Sequence, residues 1–420
     1  MITDLKPFFT LLTVMMMMLG THAEIVRDKQ GRPVPYAPGV RRYINLLDHA
    51  PRPGEFRGVW IATVNNMDFP ASYSVEQFKR TYRTMIANIA RSGGTAVFFQ
   101  LRANCDAFYP SRHAPYSRWY TGVEGRGLRN FDPLSFMVTE AHRAGLAFHA
   151  WLNPYRVASN STRNEALRRL HPANFARRYP QYVIEANKQV FLDPGIPAVR
   201  RHVVMVVQEI ISRYNVDAVV FDDYFYPYEG TGNADAASFR TYNHGRLKLA
   251  DWRRRNTETL MVEVRRMMNL FNRTNSRKVQ FGISPFGIWA NKQSNKLGSL
   301  TGGKESYSAI FADTRKWVKN GYVDYIVPQI YWHFGHEVAA YAALTDWWCQ
   351  TVKGTNTRLY IGMGAYNGGK WQHNELIDQM RYNRMKPEVS GAAFFSYRSF
   401  FGKERNSGAI NLLRYIKKYR

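Results

Sequence analysis

Residues 218–228, with the sequence AVVFDDYFYPY, form the segment on which the fold prediction depends. An apolar run of strand length comes first, two aspartates follow, and the residues after them are mostly aromatic. Such a run is typical of a strand that is buried on both faces, as the strands of parallel sheets are. Acidic residues directly after the strand lie where α/β barrels carry their working groups. The segment therefore predicts a strand of a parallel sheet whose C-terminal end faces a site.

Runs of the same kind recur along the chain and alternate with amphipathic stretches of helical length. The strands are predicted at residues 58–64, 96–102, 147–153, 218–224, 279–284, 325–332, 359–366 and 391–397. The helices are predicted at residues 75–91, 133–144, 197–214, within 238–272, 306–320, 337–352, 375–385 and 409–418. Eight successive units favour an α/β fold, a (β/α)8 TIM barrel with extended loops at its C-terminal face. An open doubly wound sheet would give the same local pattern.

The chain is predicted to have three segments: residues 1–23, 24–54 and 55–420. The first is a signal peptide, because an apolar run at residues 8–19 follows Lys6 and is followed by Thr21, His22 and Ala23. An uncleaved anchor is the alternative for this run. The second is an N-terminal lead segment, and the third is the barrel. We therefore expect an exported protein, periplasmic or secreted and associated with the cell envelope, without a transmembrane span in the mature chain.

The composition indicates a basic globular protein. Its 58 Lys and Arg against 32 Asp and Glu give a formal net charge of +26, which predicts attraction to a polyanion. Export disfavours nucleic acid as that partner and favours an anionic envelope polymer. With Cys105 and Cys349 as the only cysteines, a disulfide-rich scaffold and a cysteine-rich zinc module are excluded. His333, His336 and Glu337 do not have a standard metal-binding spacing, so no metal and no cofactor are predicted.

Polar and aromatic residues follow one another at the ends of several predicted strands. Successive members of each group are two residues apart or adjacent, so most of them share one face of the sheet. Aromatic rings beside amides and an arginine are suited to a sugar, whose C–H faces stack while its hydroxyls need hydrogen bonds. The groups are Gln100, Arg102 and Asn104, then His149, Trp151 and Asn153, and then Gln329, Tyr331 and Trp332.

Asp222 and Asp223 are the candidate catalytic acids. Adjacent residues of a strand point to opposite sides of the sheet, so only one of them is expected to face the barrel axis. Asp222 shares its face with Val220, whereas Asp223 shares its face with Phe221 and Phe225, which are apolar enough for the helix layer. Asp222 is therefore the predicted axial acid, with a pKa raised by enclosure. A purely structural role for both, as a turn cap and an arginine partner, is the alternative.

Several of these segments together resemble a known family, the glycosyl hydrolase-like family ten. The resemblance rests on residues 55–64, 106–111, 148–156, 191–195, 221–227, 282–287 and 328–332, which occur in the same order along essentially the whole barrel. It implies a TIM-barrel glycosidase. One branch of the family comprises exported enzymes that cut peptidoglycan glycan strands lacking stem peptides. The resemblance also marks Asp222 and Asp223 as the acids of the strand-four motif. The predicted substrate-binding residues are Arg102, Asn153, Tyr155, Tyr224, Tyr226, Ser284, Gln329, Tyr331, Trp332 and Tyr366.

The second catalytic group is left open by the sequence. A conventional glycosidase needs two carboxyl groups on either side of the bond, and neighbours facing opposite ways do not obviously supply them. The loop acids that remain candidates are Asp106, Asp193, Glu229 and Glu305. Substrate assistance by a 2-acetamido group would remove the need for a second nucleophile.

The function predicted is hydrolysis of an envelope glycan, most specifically of peptidoglycan glycan strands. The alternative is a barrel that binds glycan in the cell envelope without cleaving it.

Overall fold

A computed structural model describes residues 23–419 of the chain. The predicted signal peptide, except for Ala23, lies outside the described residues. The wall of the fold consists of parallel strands that follow one another along the chain. They are β1 (Phe56–Ile61), β2 (Ala96–Arg102), β3 (Ala147–Leu152), β4 (Ala218–Phe221), β5 (Gln280–Ile283), β6 in two pieces (Tyr325–Ile326 and Gln329–Ile330), β7 (Arg358–Gly364) and β8 (Val389–Phe395).

These strands close into a barrel. Each strand pairs in parallel with the next, and β8 pairs with β1. The predicted (β/α)8 barrel is therefore confirmed, and the open sheet is excluded. The predicted strand 325–332 is broken in the middle because Pro328 has no N–H to donate to a neighbouring strand. Its first piece pairs with β5 and β7, and its second piece pairs with β7.

Helices cover the outside of the barrel. The predicted helix within residues 238–272 is two helices, since His244 adopts a left-handed conformation that ends the first of them. The α-helices are Val75–Arg91, Arg118–Thr121, Pro133–Arg143, Arg163–Arg169, Phe175–Arg178, Pro197–Arg213, Ala236–Asn243, Leu249–Thr274, Ser306–Ala309, Thr314–Lys319, Tyr341–Val352, Glu375–Arg384, Tyr397–Phe401 and Ser407–Lys417, and the 3₁₀ helices are Val64–Asn66, Pro180–Tyr182 and Ala365–Asn367. Within residues 23–419, none of the helices has the length and apolarity needed to cross a membrane.

Aromatic rings fill the barrel interior. Phe56 stacks on Tyr360 with ring centroids 4.0 Å apart, and Trp60 stacks on Phe98 at 4.1 Å. Glycine makes room for these rings, because a Cβ at position 58 would lie 2.3 Å from the Phe98 ring. The interior is therefore a packed layer, and the site lies above it.

Two segments that the strand pattern did not predict as sheets pair on the outside. In the loop after β3, the strands Arg156–Ser159, Val183–Ala186 and Gln189–Leu192 form an antiparallel sheet. In the lead segment, Glu24–Ile25 pairs with Asn45–Leu46. Val26, Val34, Ile44 and Leu46 are buried in the main core, so the lead segment packs against the barrel.

Candidate active site

The C-terminal ends of the strands surround an open cavity of about 390 Å³. Every strand or the loop that follows it contributes to the walls, so the cavity lies at the mouth of the barrel where such folds carry their sites. Its lining residues are Trp60, Ala62, Val64, Met67, Gln100, Trp151, Arg156, Asp222, Asp223, Tyr224, Tyr228, Ser284, Phe286, Gln329, Tyr331, Tyr366 and Phe395.

Asp222 is a buried acid at this cavity. Its Oδ2 accepts hydrogen bonds from Trp151 Nε1 at 3.0 Å and from Asn153 Nδ2 at 3.2 Å. Its Oδ1 has no hydrogen-bond partner among residues 23–419. Burial raises the pKa of Asp222 to about 7, with Asp223 also raising it and Arg156 opposing the rise. Because Oδ2 already accepts two hydrogen bonds, the proton of the neutral acid belongs on Oδ1.

Asn153 fixes the position of Asp222 from behind. Its Oδ1 accepts the backbone N–H groups of Tyr155 and Arg156 at 3.2 and 2.8 Å. Since backbone donors occupy the amide oxygen, the amide nitrogen must face Asp222. Asn153 is fully buried and does not line the cavity. Its role in this arrangement is therefore to orient the acid.

Asp223 also lines the cavity and has different partners. The Tyr228 hydroxyl donates a short hydrogen bond to Asp223 Oδ2. Burial raises the pKa of Asp223, while hydrogen bonds from Tyr228 and Gln329 oppose the rise. Gln329 is held by a further hydrogen bond from its Nε2 to the carbonyl oxygen of Ser284, at 3.0 Å. The two adjacent acids thus differ in their surroundings, as groups with different roles in proton transfer do.

Arg156 is the cation of the site. It lies over the Tyr224 ring with its guanidinium carbon 4.6 Å from the centroid, and its Nε donates to the carbonyl oxygen of Ala103. Its charge lowers the pKa values of both Asp222 and Asp223. Arg156 therefore favours the ionised form of whichever acid has lost its proton.

Two donors on the opposite strands have no partner among the described residues. The Oε1 atom of Gln100 accepts the N–H groups of Thr63 and Val64 at 3.0 and 2.9 Å, which fixes the orientation of the amide. Its Nε2 atom and the Nε1 atom of Trp60 are both unpartnered. Both atoms are buried, although their residues contribute to the cavity wall. Acid groups, fixed donors and ring faces in one cavity are the requirements for binding a sugar and protonating its glycosidic oxygen.

The structure brings together seven of the predicted site residues. They are Asp222, Asp223, Tyr224, Ser284, Gln329, Tyr331 and Tyr366. The prediction that Asp223 faces the helix layer is wrong. Strand β4 ends at Phe221, so the alternation of strand faces stops before the two acids, and the chain turns there with a hydrogen bond from Phe225 N to Asp223 O.

The remaining predicted residues do not line the cavity. A bulge in β2 pairs Gln100 with Trp151 but Arg102 with Leu152, so that Arg102 leaves the inner face and is buried outside the barrel.

The ring of Tyr155 is fully buried in the main core. The ring of Tyr226 packs against Phe311 there, with centroids 5.2 Å apart. Trp332 packs edge to face against Phe286, a residue of the cavity wall, with ring centroids 5.5 Å apart, and does not itself line the cavity.

Sequence reasoning left several lining residues out of the predicted site. Gln100 and Trp151 stood at predicted strand ends, and Tyr228 stood in the aromatic run after β4, so their positions were informative. Arg156 ends the segment 148–156 on which the family resemblance rests, but it was not named as a site residue, and the short sheet that begins with it was not predicted.

The loop acids considered as a second catalytic group lie elsewhere. Asp106 accepts the N–H groups of Ala103 and Asn104, and Asp193 accepts that of Gly195. Glu305 is bonded to Asn291, Ser294 and Ser308, and Glu229 is exposed beside Lys304. Among the described residues, Asp222 and Asp223 are the only carboxylates on the wall of the cavity. In the described part of the chain, no three His, Cys, Asp or Glu side chains form a cluster that could hold a metal ion.

Comparison with known proteins gives concordant matches. Residues 55–379 match the family described as glycosyl hydrolase-like 10. Glycosyl hydrolase YngK of Bacillus subtilis (strain 168) is 38% identical over 365 residues, which cover 84% of this chain and 70% of that protein. Glycosyl hydrolase DigH of Escherichia coli (strain K12) is 37% identical over 386 residues, which cover 85% of this chain and 86% of that protein.

A solved structure matches the fold alone. It is the catalytic domain of a beta-amylase from Paenibacillus polymyxa, with a TM-score of 0.52 and 10% identity, covering 87% of this chain and 98% of that chain.

Proposed function

Because this chain belongs to the glycosyl hydrolase-like 10 family, we propose that it is a glycosidase that cleaves envelope glycan. The proposed substrate is a peptidoglycan glycan strand built from N-acetylated amino sugars. The names of the two relatives support hydrolysis of a glycosidic bond, and the resemblance noted in the sequence supports this polymer. The observation that carries the proposal is the acid Asp222, which is buried at the cavity with its Oδ2 held by Trp151 and Asn153 and whose pKa is raised by burial to about 7.

Asp222 acts as the general acid in this proposal. A glycosidic oxygen placed against Oδ1 receives the proton as the bond to the sugar carbon breaks, and the positive charge that develops on the sugar ring is oxocarbenium-like. Trp151 and Asn153 hold the carboxyl through Oδ2, so that Oδ1 remains free to donate. Arg156 then stabilises the carboxylate that is left behind.

Asp223 acts as the second group. In a substrate-assisted reaction, the carbonyl oxygen of the 2-acetamido group attacks the sugar carbon, and a carboxylate beside it accepts a hydrogen bond from the amide N–H. Water then attacks the same carbon and displaces the acetamido oxygen, and Asp222 takes up the proton that this water loses. Asp223 suits that role because the Tyr228 hydroxyl fixes its position.

A direct test uses the purified mature chain and glycan strands freed of their peptides. We expect new reducing ends to appear with time. Strands that co-sediment with the protein while no reducing ends form would contradict hydrolysis and would support a glycan-binding barrel instead.

The pH profile of hydrolysis follows from Asp222. As a general acid it must be protonated, so with a pKa of about 7 the rate should fall about tenfold for each unit of pH above that value. Below pH 7 the rate should stay level until Asp223 is protonated. Initial rates from pH 4 to pH 9 measure both limbs. A rate that keeps rising between pH 7 and pH 9 would exclude Asp222 as the acid.

Export to the cell envelope and binding to an anionic polymer there are part of the proposal. Basic residues are dense in the outer segments 163–178 and 246–266, away from the cavity. We expect binding to isolated sacculi or anionic membranes to weaken steeply once the salt concentration brings the screening length below about 8 Å. Hydrolysis of a short neutral oligosaccharide should change little over the same range. Binding that does not respond to salt would reject electrostatic retention.

A further inference from the structure

A second cavity of about 530 Å³ lies beside the barrel mouth, and we call it the distal cavity. The lead segment forms one wall, and the loops after β6 and β7 form the other. Its lining residues are Asp28, Lys29, Gln30, Arg32, Pro33, Val34, Pro35, His333, Phe334, Gly335, Lys370, Trp371, Gln372 and Glu375. Both loops start at the catalytic cavity, because Tyr331 and Tyr366 line that cavity a few residues earlier in the chain.

A row of rings connects the two cavities, and we call it the aromatic track. It begins at Phe286 on the wall of the catalytic cavity and continues through Trp332 at 5.5 Å and His336 at 6.2 Å. From His336 it continues to His333 at 5.4 Å and ends at Trp371, 6.2 Å further on. All five side chains are partly exposed. Neighbouring rings are tilted by 57° to 85° to one another, so they form a continuous aromatic surface against which the C–H groups of successive sugars pack.

The charge of the distal cavity favours an acidic ligand. Lys29 and Lys370 are both exposed on the wall of the distal cavity, and Lys29 Nζ donates to the backbone carbonyl oxygen of Lys370 at 3.3 Å. Within residues 23–419 neither lysine forms an ion pair, whereas the Asp28 carboxylate is occupied by Arg32 at 2.7 Å. The carboxyl of Glu375 is buried and accepts hydrogen bonds from Phe334 N and Gln379 Nε2. Burial raises the pKa of Glu375 to about 7, so its negative charge is reduced near neutral pH.

We propose that the distal cavity and the aromatic track form a second glycan-binding site, which holds the continuation of an acidic polysaccharide whose scissile bond lies in the catalytic cavity. The inference rests on the proposed function, because it assigns to that substrate a path beyond the site of cleavage. A glycan strand without stem peptides carries a free carboxylate on the lactyl group of every second sugar. Stacking on Trp371 binds the rings, and Lys29 and Lys370 pair with that carboxylate.

The experiment compares long strands with short oligosaccharides in the full mature chain. We expect Trp371→Ala to lower the ratio of kcat/KM for long strands to that for short ones by about fivefold or more. The double variant Lys29→Gln, Lys370→Gln should lower the same ratio for acidic strands and leave it unchanged for neutral chitin-type chains. Leu270→Ala is the control, because Leu270 is 57% exposed near the end of the helix Leu249–Thr274, which leads to the start of β5 on the face of the barrel opposite the mouth. Its ratio should equal that of the wild type.

Melting temperatures and equilibrium binding of uncleaved strands complete the test. If Trp371→Ala does not fold, the double lysine variant decides, since it removes no packed group. Normal cleavage with an unchanged ratio and affinity in the lysine variant would overturn the second site and leave the proposed function intact. Wild-type protein that binds strands but cleaves neither length would overturn the proposed function, and the affinities of the variants would still decide the second site.

Discussion

Asp222→Asn should reduce turnover of glycan strands by about 10² to 10⁴ fold, because it removes the proton donor and changes the shape of the side chain very little. The same variant should be more stable than the wild type at alkaline pH. The pKa of Asp222 in the folded chain, about 7, is above its value in the unfolded chain. The folded state therefore holds a proton that the unfolded state has lost, and stability falls as pH rises through this window. Asparagine has no such proton to lose.

Initial rates and melting temperatures at pH 5 and pH 8 measure both effects. Asp193→Asn is the matched control. Burial raises the pKa of Asp193 to about 6, and the residue lies outside the cavity wall. Its turnover should stay close to that of the wild type. Near-normal turnover in both Asp222→Asn and Asp223→Asn would remove the chemistry from this pair of acids.

Asp235→Asn should destabilise the fold by about 3–5 kcal/mol, because it leaves the guanidinium of Arg253 buried without a counter-charge. Two hydrogen bonds join these side chains, at 2.8 and 2.5 Å, and Asp235 is fully buried. The pair connects the loop after β4 to the long helix Leu249–Thr274, so the loss should also loosen the segment that follows Asp222 and Asp223.

Unfolding in denaturant measures this loss. When two variants have the same slope of unfolding free energy against denaturant concentration, the shift in the transition midpoint gives the change in the free energy of unfolding. Asp251→Asn provides the control, since Asp251 pairs with Arg254 at 2.7 Å on the surface of the same helix. Exposed pairs of this kind contribute at most about 1 kcal/mol. Equal losses of unfolding free energy in the two variants would show that burial of the Asp235–Arg253 pair adds nothing to stability.

The barrel could be predicted from sequence because its strands are apolar and regularly spaced. The residues 96–102 coincide with β2, and the helix at 75–91 has the predicted bounds. Local irregularities of the strands limited the prediction of which face each side chain occupies. The bulge in β2 turns Arg102 to the opposite face of the sheet, and the early end of β4 changes the direction of Asp223. Neither feature is visible in the periodicity of the sequence. Arg102 was therefore assigned to the wrong side of the wall, and Asp223 was assigned to the wrong layer.

The site was predictable where its residues stand at strand ends, as Gln329 and Tyr331 do. It was not predictable where contacts between distant segments create it. The orientation of Asp222 depends on Asn153, whose amide is in turn set by the turn that begins at Tyr155. The track depends on rings from three loops, and a sequence pattern does not report which loops meet in space.

In the proposed reaction, the ring layer beneath the cavity leaves one route for water and protons. With Phe56 stacked on Tyr360 and Trp60 on Phe98, the axis is closed from below, and the polymer cannot pass through the barrel. Every water molecule that hydrolysis consumes must therefore enter by the same opening that the polymer covers. In the proposed reaction, Asp222 also recovers its proton from water that enters on that side. We therefore expect access of solvent past a bound chain to limit the rate of successive cleavages while the polymer remains in place.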